Sequence, residues 1–159
     1  MEKNVMESIW ADGIPANIEE KDVMTGVDNL TLCTKFYVEK ILSKLGGQIE
    51  NINVNPKSFP NIMFVKNGKK YGICIVPCIF PYFSFMVDKV RISFVNESLK
   101  HDVIPVMTCI LMASYDKARA DKQVLLKGDL FNLRHLGNYL LNNEEKLMLT
   151  PNDLNYNFE

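Results

Sequence analysis

Apolar residues in the first third of the chain recur at the spacing of a helix face. The positions, three or four residues apart, are Leu30, Cys33, Tyr37, Ile41 and Leu45. Asp28 or Asn29 can cap the start of this helix by accepting hydrogen bonds from free backbone N–H groups. Gly46-Gly47 ends it, because glycine readily takes the left-handed conformation of a C-cap. The pattern therefore predicts one helix between the Asp28-Asn29 pair and the Gly46-Gly47 pair.

Strand patterns follow this helix. Residues 48–55 mix apolar and polar side chains, and two further strands, 61–66 and 69–78, flank Asn67-Gly68. An Asn-Gly pair suits a type I′ turn, which needs a positive φ at both central residues. The second and third strands are therefore predicted to form an antiparallel β-hairpin.

Another helix and more strands are predicted in the second half of the chain. Residues 85–101 are amphipathic, 103–113 form an apolar strand, 124–127 a short strand and 129–142 a closing helix. A helical crossover between the third and fourth strands makes those strands parallel. The predicted fold class is α/β, with a mixed β-sheet (an antiparallel meander plus a parallel crossover strand) flanked by helices.

Length and charge favour a single folded domain. The 159 residues are 47% hydrophobic and 23% charged, with a net charge of -1, which excludes a disordered chain and a generally basic nucleic-acid coat. Residues 1–28 hold two basic and seven acidic side chains. The predicted organisation is an acidic N-terminal leader over 1–28, one α/β domain over 29–142 and a C-terminal tail over 143–159.

Several features are typical of a cytoplasmic protein. The first residues have no apolar stretch resembling a signal peptide. The longest uncharged run, residues 71–87, is shorter than the roughly 20 residues that a membrane-spanning helix needs, and Pro77 and Pro81 interrupt it. Four cysteines without a framework spacing favour reduced thiols. We therefore expect a protein of the cytoplasm that does not span a membrane.

The order of elements and one segment point to a known family. A helix, a three-strand meander, a crossover helix and an apolar strand span about residues 29–125, and residues 60–78 read PNIMFVKNGKKYGICIVPC. This layout resembles the restriction-endonuclease-like PD-(D/E)XK fold. In active members the segment carries Pro-Asp and, on the next strand, Glu-x-Lys or Asp-x-Lys. The resemblance implies Asn61 at the aspartate position, Cys74 at the acidic position and Val76 at the lysine position.

These three replacements imply a degenerate motif. In active members two carboxylates hold Mg²⁺, which prefers hard oxygen ligands, and the lysine assists the attacking water. Asparagine carries no charge, cysteine is a soft ligand and valine has no polar side-chain atom. No Asp or Glu occurs between Asn51 and Val87, so a shifted alignment restores nothing. The resemblance therefore implies a catalytically inactive relative that uses no metal or other cofactor.

An enzyme alternative stays open. A Mg-dependent nuclease with a migrated active site would take its carboxylates from Glu39, Asp88 or Glu97. Glu39 also fits a surface glutamate that pairs with Lys35, one helical turn earlier. Cys74 and Cys78 lie four residues apart, but no second cysteine pair or histidine pair accompanies them, so we expect buried structural thiols and no metal site.

Two surface features favour binding. Three lysines surround the hairpin turn: Lys66, Lys69 and Lys70. Three aromatic residues lie in the loop after the third strand: Phe80, Tyr82 and Phe83. Basic residues next to aromatic ones are typical of single-stranded nucleic-acid binding, whereas an aromatic loop alone is typical of a protein-binding patch. We expect a non-catalytic binding domain whose partner is another protein or a second copy of the chain, with nucleic acid as the alternative.

Overall fold

The computed structural model describes residues 19–80, 82, 84, 86–114, 125–128, 130–142 and 154. Two α-helices are present in these ranges, α1 (Gly26–Lys40) and α2 (Asp88–Lys100). The five strands are β1 (Gln48–Ile52), β2 (Ile62–Lys66), β3 (Lys69–Ile79), β4 (Ile104–Ser114) and β5 (Phe131–Leu140). Short 3₁₀ turns cover Glu20–Asp22 and Leu42–Lys44. Neither described α-helix is both long and apolar enough to cross a membrane.

Helix α1 begins earlier than predicted, because Thr25 and not Asp28 is its N-cap. The Asp28 N–H donates to Thr25 Oγ1 at 3.2 Å, and the Thr25 N–H donates to Asp28 Oδ2 at 2.9 Å, which together make a capping box. The hydrogen bonds from Thr25 lower the pKa of the Asp28 carboxyl. The α-helix ends at Lys40, and a 3₁₀ turn carries the chain on toward Gly46, which has a φ of 66°.

The five strands form one mixed sheet in the order β1-β2-β3-β4-β5. β1, β2 and β3 are antiparallel neighbours, and β3 and β4 are parallel from the pair Tyr71–Ile104 to the pair Ile79–Met112. Asn67 and Gly68 have φ values of 52° and 74°, as a type I′ hairpin requires. The predicted hairpin, the parallel crossover and the α/β fold class are confirmed.

The predicted closing helix over 129–142 is wrong, because this segment contains β5, an antiparallel neighbour of β4. Phe131 and Leu133 point to one face of the sheet in strand alternation. A β-bulge then adds Leu136, because Cys109 pairs with Gly137 whereas the next β4 residue pairs with His135. The extra residue shifts the alternation by one, and the apolar spacing on either side of the bulge resembles that of a helix.

The residues just before α1 join the sheet region. Val23 forms an isolated antiparallel bridge with Leu126, and the Met24 N–H donates to the carbonyl of Leu125 at 2.8 Å. The predicted short strand over 124–127 is thus a single bridge within the described residues. Leu154, in the predicted tail, is fully buried.

Within the part of the chain that the structure describes, each face of the sheet carries one α-helix, which gives three layers. The buried residues on the α1 face include Leu30, Cys33, Tyr37, Phe64, Ile73, Ile75, Val106 and Ile110. Those on the α2 face include Cys74, Cys78, Phe94, Val95, Met107 and Cys109. Alternate residues of β3 and β4 belong to opposite faces, which is why both strands are apolar almost throughout.

A buried polar network lies under α1. Tyr37 Oη donates to Asn138 Oδ1 at 2.7 Å, and Asn138 Nδ2 donates to the carbonyl of Leu154 at 3.2 Å. His135 Nε2 lies 2.6 Å from Thr108 Oγ1, and the His135 ring packs against Tyr37 with ring centroids 5.4 Å apart. Burial lowers the pKa of His135 to about 4, so the imidazole is neutral in the folded state at pH 7.

This burial predicts a loss of stability in mild acid. Between about pH 6.5 and pH 4 the unfolded chain binds a proton at His135 that the folded chain does not, so the free energy of unfolding falls as the pH falls. The expected slope from this residue approaches about 1.4 kcal/mol per pH unit. Urea unfolding at several pH values should show a smaller decrease for His135→Gln than for the wild type.

His101→Gln is the matched control, because it removes an exposed histidine and leaves the buried His135 unchanged. It should retain the wild-type pH dependence. Equal pH dependence of His135→Gln and the wild type would contradict a neutral, buried His135.

Candidate functional site

The three positions that the resemblance aligns with the nuclease motif lie on, or directly before, two adjacent strands. Asn61 immediately precedes β2, and Cys74 and Val76 lie on β3. Because Ile62 pairs with Ile73, Asn61 is opposite Cys74 in the antiparallel register. Asn61 and Val76 line a common cavity, whereas Cys74 is buried under α2.

Both the oxygen and the nitrogen of the Asn61 side-chain amide are hydrogen-bonded to the backbone. Its Oδ1 accepts the Ile75 N–H at 2.8 Å, and its Nδ2 donates to the carbonyls of Asn53 at 3.1 Å and Ser58 at 3.4 Å. Only 1% of the residue is exposed. The acceptor therefore faces a backbone donor and the donor faces two backbone carbonyls, an arrangement that only an amide satisfies.

Ile75 needs this bond because β2 ends too early to pair with it. The pairing of β2 with β3 ends at Ile62 and Ile73, so the next N–H on that edge of β3, from Ile75, has no strand partner. Asn61 supplies the acceptor. The following residue with the same orientation is Pro77, which has no N–H group. Where this edge of β3 borders the cavity, neither Ile75 nor Pro77 therefore presents an unpaired backbone N–H group.

The motif positions do not fit a hard divalent cation. Asn61 Oδ1 is already bound to the Ile75 N–H. Burial raises the pKa of the Cys74 thiol well above its usual value, so it stays neutral as well as soft. Val76 offers no side-chain ligand. The resemblance would place Mg²⁺ at these residues, and the donors that Mg²⁺ needs are not among them.

The three carboxylates proposed for a migrated site lie apart. Glu39 is exposed in the last turn of α1 and forms no ion pair with Lys35. Asp88 begins α2 and contacts Arg91 Nη1 at 3.3 Å. Glu97, about 13 Å further along the same helix, contacts His101 Nε2 at 2.9 Å and Lys100 Nζ at 4.0 Å. The described part of the chain contains no cluster of three or more His, Cys, Asp or Glu side chains that could hold a metal ion.

Three buried thiols lie under α2. Hydrogen bonding between the Cys78 and Cys109 thiols lowers the pKa of Cys78 and raises that of Cys109. The Cys109 S–H also lies 3.8 Å from the carbonyl of Ser84, and the Ser84 N–H donates to the Cys78 sulfur at 3.4 Å. All four cysteines of the chain are free and buried. Because Cys78 is fully covered, its thiol cannot meet a substrate, and these contacts fix the loop after β3 to the sheet.

The predicted lysines and aromatic residues lie at opposite ends of β3. Lys69 and Phe80 are separated by about 36 Å of extended strand. Lys70 pairs with Glu50 at 3.3 Å, and Lys66 lies in the same hairpin. Phe80 and Tyr82 are 40% and 57% exposed, while Phe83 lies outside the described residues. The lysine cluster and the aromatic loop therefore form two surfaces and not one interleaved binding face.

A cavity of about 350 Å³ occupies the end of the sheet where the motif positions meet. We call it the apolar cavity, since carbon atoms form most of its wall. Four segments contribute to it: the start of α1 (Gly26, Asn29, Leu30), the loop before β2 (Pro56, Phe59, Asn61), β3 (Ile75, Val76, Pro77) and the residues around the start of α2 (Met86, Val87, Val90). None of the described residues that line it is acidic.

A second hollow of about 360 Å³ adjoins the first and shares Phe59 and Val90 with it. We call it the basic groove. Its other residues are Lys57, Lys89, Ser93, Phe94 and Glu97. The rings of Phe59 and Phe94 have centroids 6.2 Å apart. Neither Lys57 nor Lys89 has an ion-pair partner among the residues that the structure describes.

Sequence patterns did not reveal these two hollows. Their walls combine loop and helix-start residues that are distant along the chain, and no periodicity joins them. One signal was present, namely Phe59, Met86 and Val87, which are large apolar residues outside regular elements. Comparison with known proteins adds no precedent, since no family model fits the chain and no curated protein or solved structure is significantly similar to it.

Introducing at position 61 the aspartate of the nuclease motif should destabilise this protein. In Asn61→Asp a carboxylate oxygen would face the carbonyls of Asn53 and Ser58, which accept hydrogen bonds and cannot donate them. An uncompensated buried charge of this kind costs about 3 kcal/mol or more. Burial raises the folded-state pKa of the new carboxyl, so the penalty is present at neutral pH and decreases as the pH falls through that raised pKa.

Urea unfolding of Asn61→Asp at pH 7 and in mild acid checks this expectation. Asn55→Asp is the matched control: Asn55 is exposed and its Oδ1 accepts the Lys57 N–H at 2.9 Å, a role that a carboxylate retains. It should change stability by about 0.5 kcal/mol or less. Equal stability of the two variants at pH 7 would mean that the Asn61 site is open to a carboxylate.

Proposed function

We propose that this protein is a non-catalytic binding module on a degenerate restriction-endonuclease-like scaffold, and that its partner is another protein. The observation that carries the proposal is the apolar cavity. It lies where the resemblance puts the catalytic residues. Two polar side chains line it among the described residues: Asn61 is held by structural hydrogen bonds, and Asn29 adds a neutral amide whose buried Oδ1 has no hydrogen-bond partner there. A pocket with such a wall suits the insertion of an apolar side chain and not the stabilisation of charge at a phosphate.

The order of elements supports the scaffold part of the proposal. Helix α1 precedes the antiparallel meander β1–β3, and α2 then carries the chain to β4, which is parallel to β3. This is the layout on which the resemblance rests. The mixed five-stranded sheet with a helix on each face is compatible with it.

Exposed apolar side chains in the segments around the cavity support a protein partner. Val87 is a wall residue and is 65% exposed, and Val27 follows the wall residue Gly26 and is 48% exposed. Phe80 and Tyr82 extend from the end of β3, whose preceding residues form another part of the wall. Apolar and aromatic surface around a concave site is characteristic of protein interfaces.

Two further points favour binding over nuclease activity. Two of the three carboxylates considered for a migrated site, Asp88 and Glu97, form ion pairs on different turns of α2, and the third, Glu39, lies on the other helix. The lysines of the hairpin are far from the cavity, which weakens the case for nucleic acid as the main partner.

A reducing compartment such as the cytoplasm suits the four free, buried thiols.

Blocking the cavity should abolish partner binding. Gly26 lines the cavity, and a Cβ added there meets no atom within 4 Å, so Gly26→Trp introduces a large side chain without a backbone clash. A photoreactive phenylalanine analogue at Val87 should cross-link the partner in cells of the native host. The Gly26→Trp variant should lose this cross-link.

Lys35→Trp is the matched control, because Lys35 is exposed further along the same helix. It should keep the cross-link, and thermal unfolding should confirm that both variants are folded. A cross-link that persists in Gly26→Trp, or that joins the protein to nucleic acid alone, would contradict the proposed function.

A further inference from the structure

We infer that the partner presents an acidic peptide segment with one bulky apolar anchor, and that the anchor enters the apolar cavity while an adjacent carboxylate lies in the basic groove. The inference rests on the proposed function, because it specifies the chemistry of the partner at the same site. Its basis is the direct adjacency of two hollows of different character, which share Phe59 and Val90 as a common wall.

The apolar cavity has room for a large side chain. An apolar cavity of about 150 Å³ holds a benzene molecule, and this one has about 350 Å³. Phenylalanine, tryptophan, leucine and methionine are therefore suitable anchors. Interfaces obtain most of their affinity from such central, desolvated side chains.

The basic groove selects the charge next to the anchor. Lys57 and Lys89 both line it, they lie on different segments, and neither has an ion-pair partner among the described residues. The acidic lining residue, Glu97, is already bound to His101 at 2.9 Å. A ligand carboxylate would therefore meet two unpaired ammonium groups, whereas a basic peptide would be repelled by them.

An extended peptide fits this geometry better than an isolated small molecule. A peptide whose anchor side chain occupies the apolar cavity would leave the cavity beside Phe59 and Val90. These two residues also line the basic groove. Successive residues of an extended peptide are about 3.3 Å apart, so a carboxylate within a few positions of the anchor reaches the groove. The Phe59–Phe94 ring pair provides an apolar surface under the intervening side chain.

Selection of a random peptide library displayed on phage, against the immobilised full chain, tests the inference. The expected consensus has an aromatic residue, Leu or Met, with Asp or Glu within about three positions. Synthetic consensus peptide should bind Lys57→Glu/Lys89→Glu about tenfold more weakly than the wild type at low salt. Replacing its acidic residues by Asn or Gln should weaken binding to the wild type similarly and remove most of the salt dependence.

Lys35→Glu/Lys40→Glu is the matched control, since it makes the same charge change on the exposed side of α1. It should retain wild-type affinity. Peptides that need an apolar anchor and are lost in Gly26→Trp, but show no acidic preference and no effect of the lysine variants, would overturn this inference and leave the proposed function standing.

The remaining outcomes are also decisive. Failure to select any peptide whose binding is lost in Gly26→Trp would overturn the proposed function and the inference together. Displacement of the consensus peptide by single-stranded oligothymidylate, dependent on Lys57 and Lys89, would overturn the acidic-peptide assignment in favour of nucleic acid.

Discussion

The side-chain amide of Asn61 joins three parts of the structure on which the candidate site depends. Its oxygen accepts the Ile75 N–H of β3 where β2 has ended, and its nitrogen donates to the carbonyls of Asn53 and Ser58 in the preceding loop. These bonds hold the loop that carries Phe59 against the end of β3. The free edge of β3 then continues through Pro77, which has no N–H to satisfy. A wall for the cavity is thereby formed without an unpaired backbone donor at these positions.

These hydrogen bonds of Asn61 favour the proposed binding function over catalysis at the site. A catalytic carboxylate must be free to hold a metal ion or a proton, and its neighbours must tolerate its charge. The surroundings of Asn61 consist of one backbone donor and two backbone acceptors, and Val76 and Phe59 add carbon surface. Lys57 and Lys89 line the adjoining basic groove and not the apolar cavity, so their charges can orient a partner from outside the cavity.

Local patterns predicted those parts of the fold that depend on neighbouring residues. Asn67-Gly68 predicted the hairpin because its turn needs two positive φ angles, and the crossover segment predicted the parallel pairing of β3 with β4. The start of α1 was misplaced, although the spacing of Thr25 and Asp28 is that of a capping box. β5 was mistaken for a helix because the bulge at Leu136 breaks the alternation that identifies a strand.

The candidate site could be predicted only in part, because much of it forms only in the tertiary structure. The positions of Asn61, Cys74 and Val76 followed from the hairpin register, and the lack of acidic residues around them was visible in the sequence. The apolar cavity and the basic groove depend on tertiary structure, since Lys57 and Lys89 come together only when α2 packs beside the loop before β2. The aromatic loop and the hairpin lysines are neighbours in sequence, yet the length of β3 separates them.

We propose that an apolar cavity without metal ligands lies where an active nuclease of this fold would hold its metal ion. Titration of the ¹⁵N-labelled protein with Mn²⁺, followed by paramagnetic loss of amide signals, decides whether these positions bind a metal ion. The amides of Asn61, Ile75 and Val76 should keep their intensities while amides beside exposed carboxylates such as Glu39 lose theirs. Selective loss of the Asn61, Ile75 and Val76 signals at substoichiometric Mn²⁺ would show a metal site at the motif positions and contradict the account.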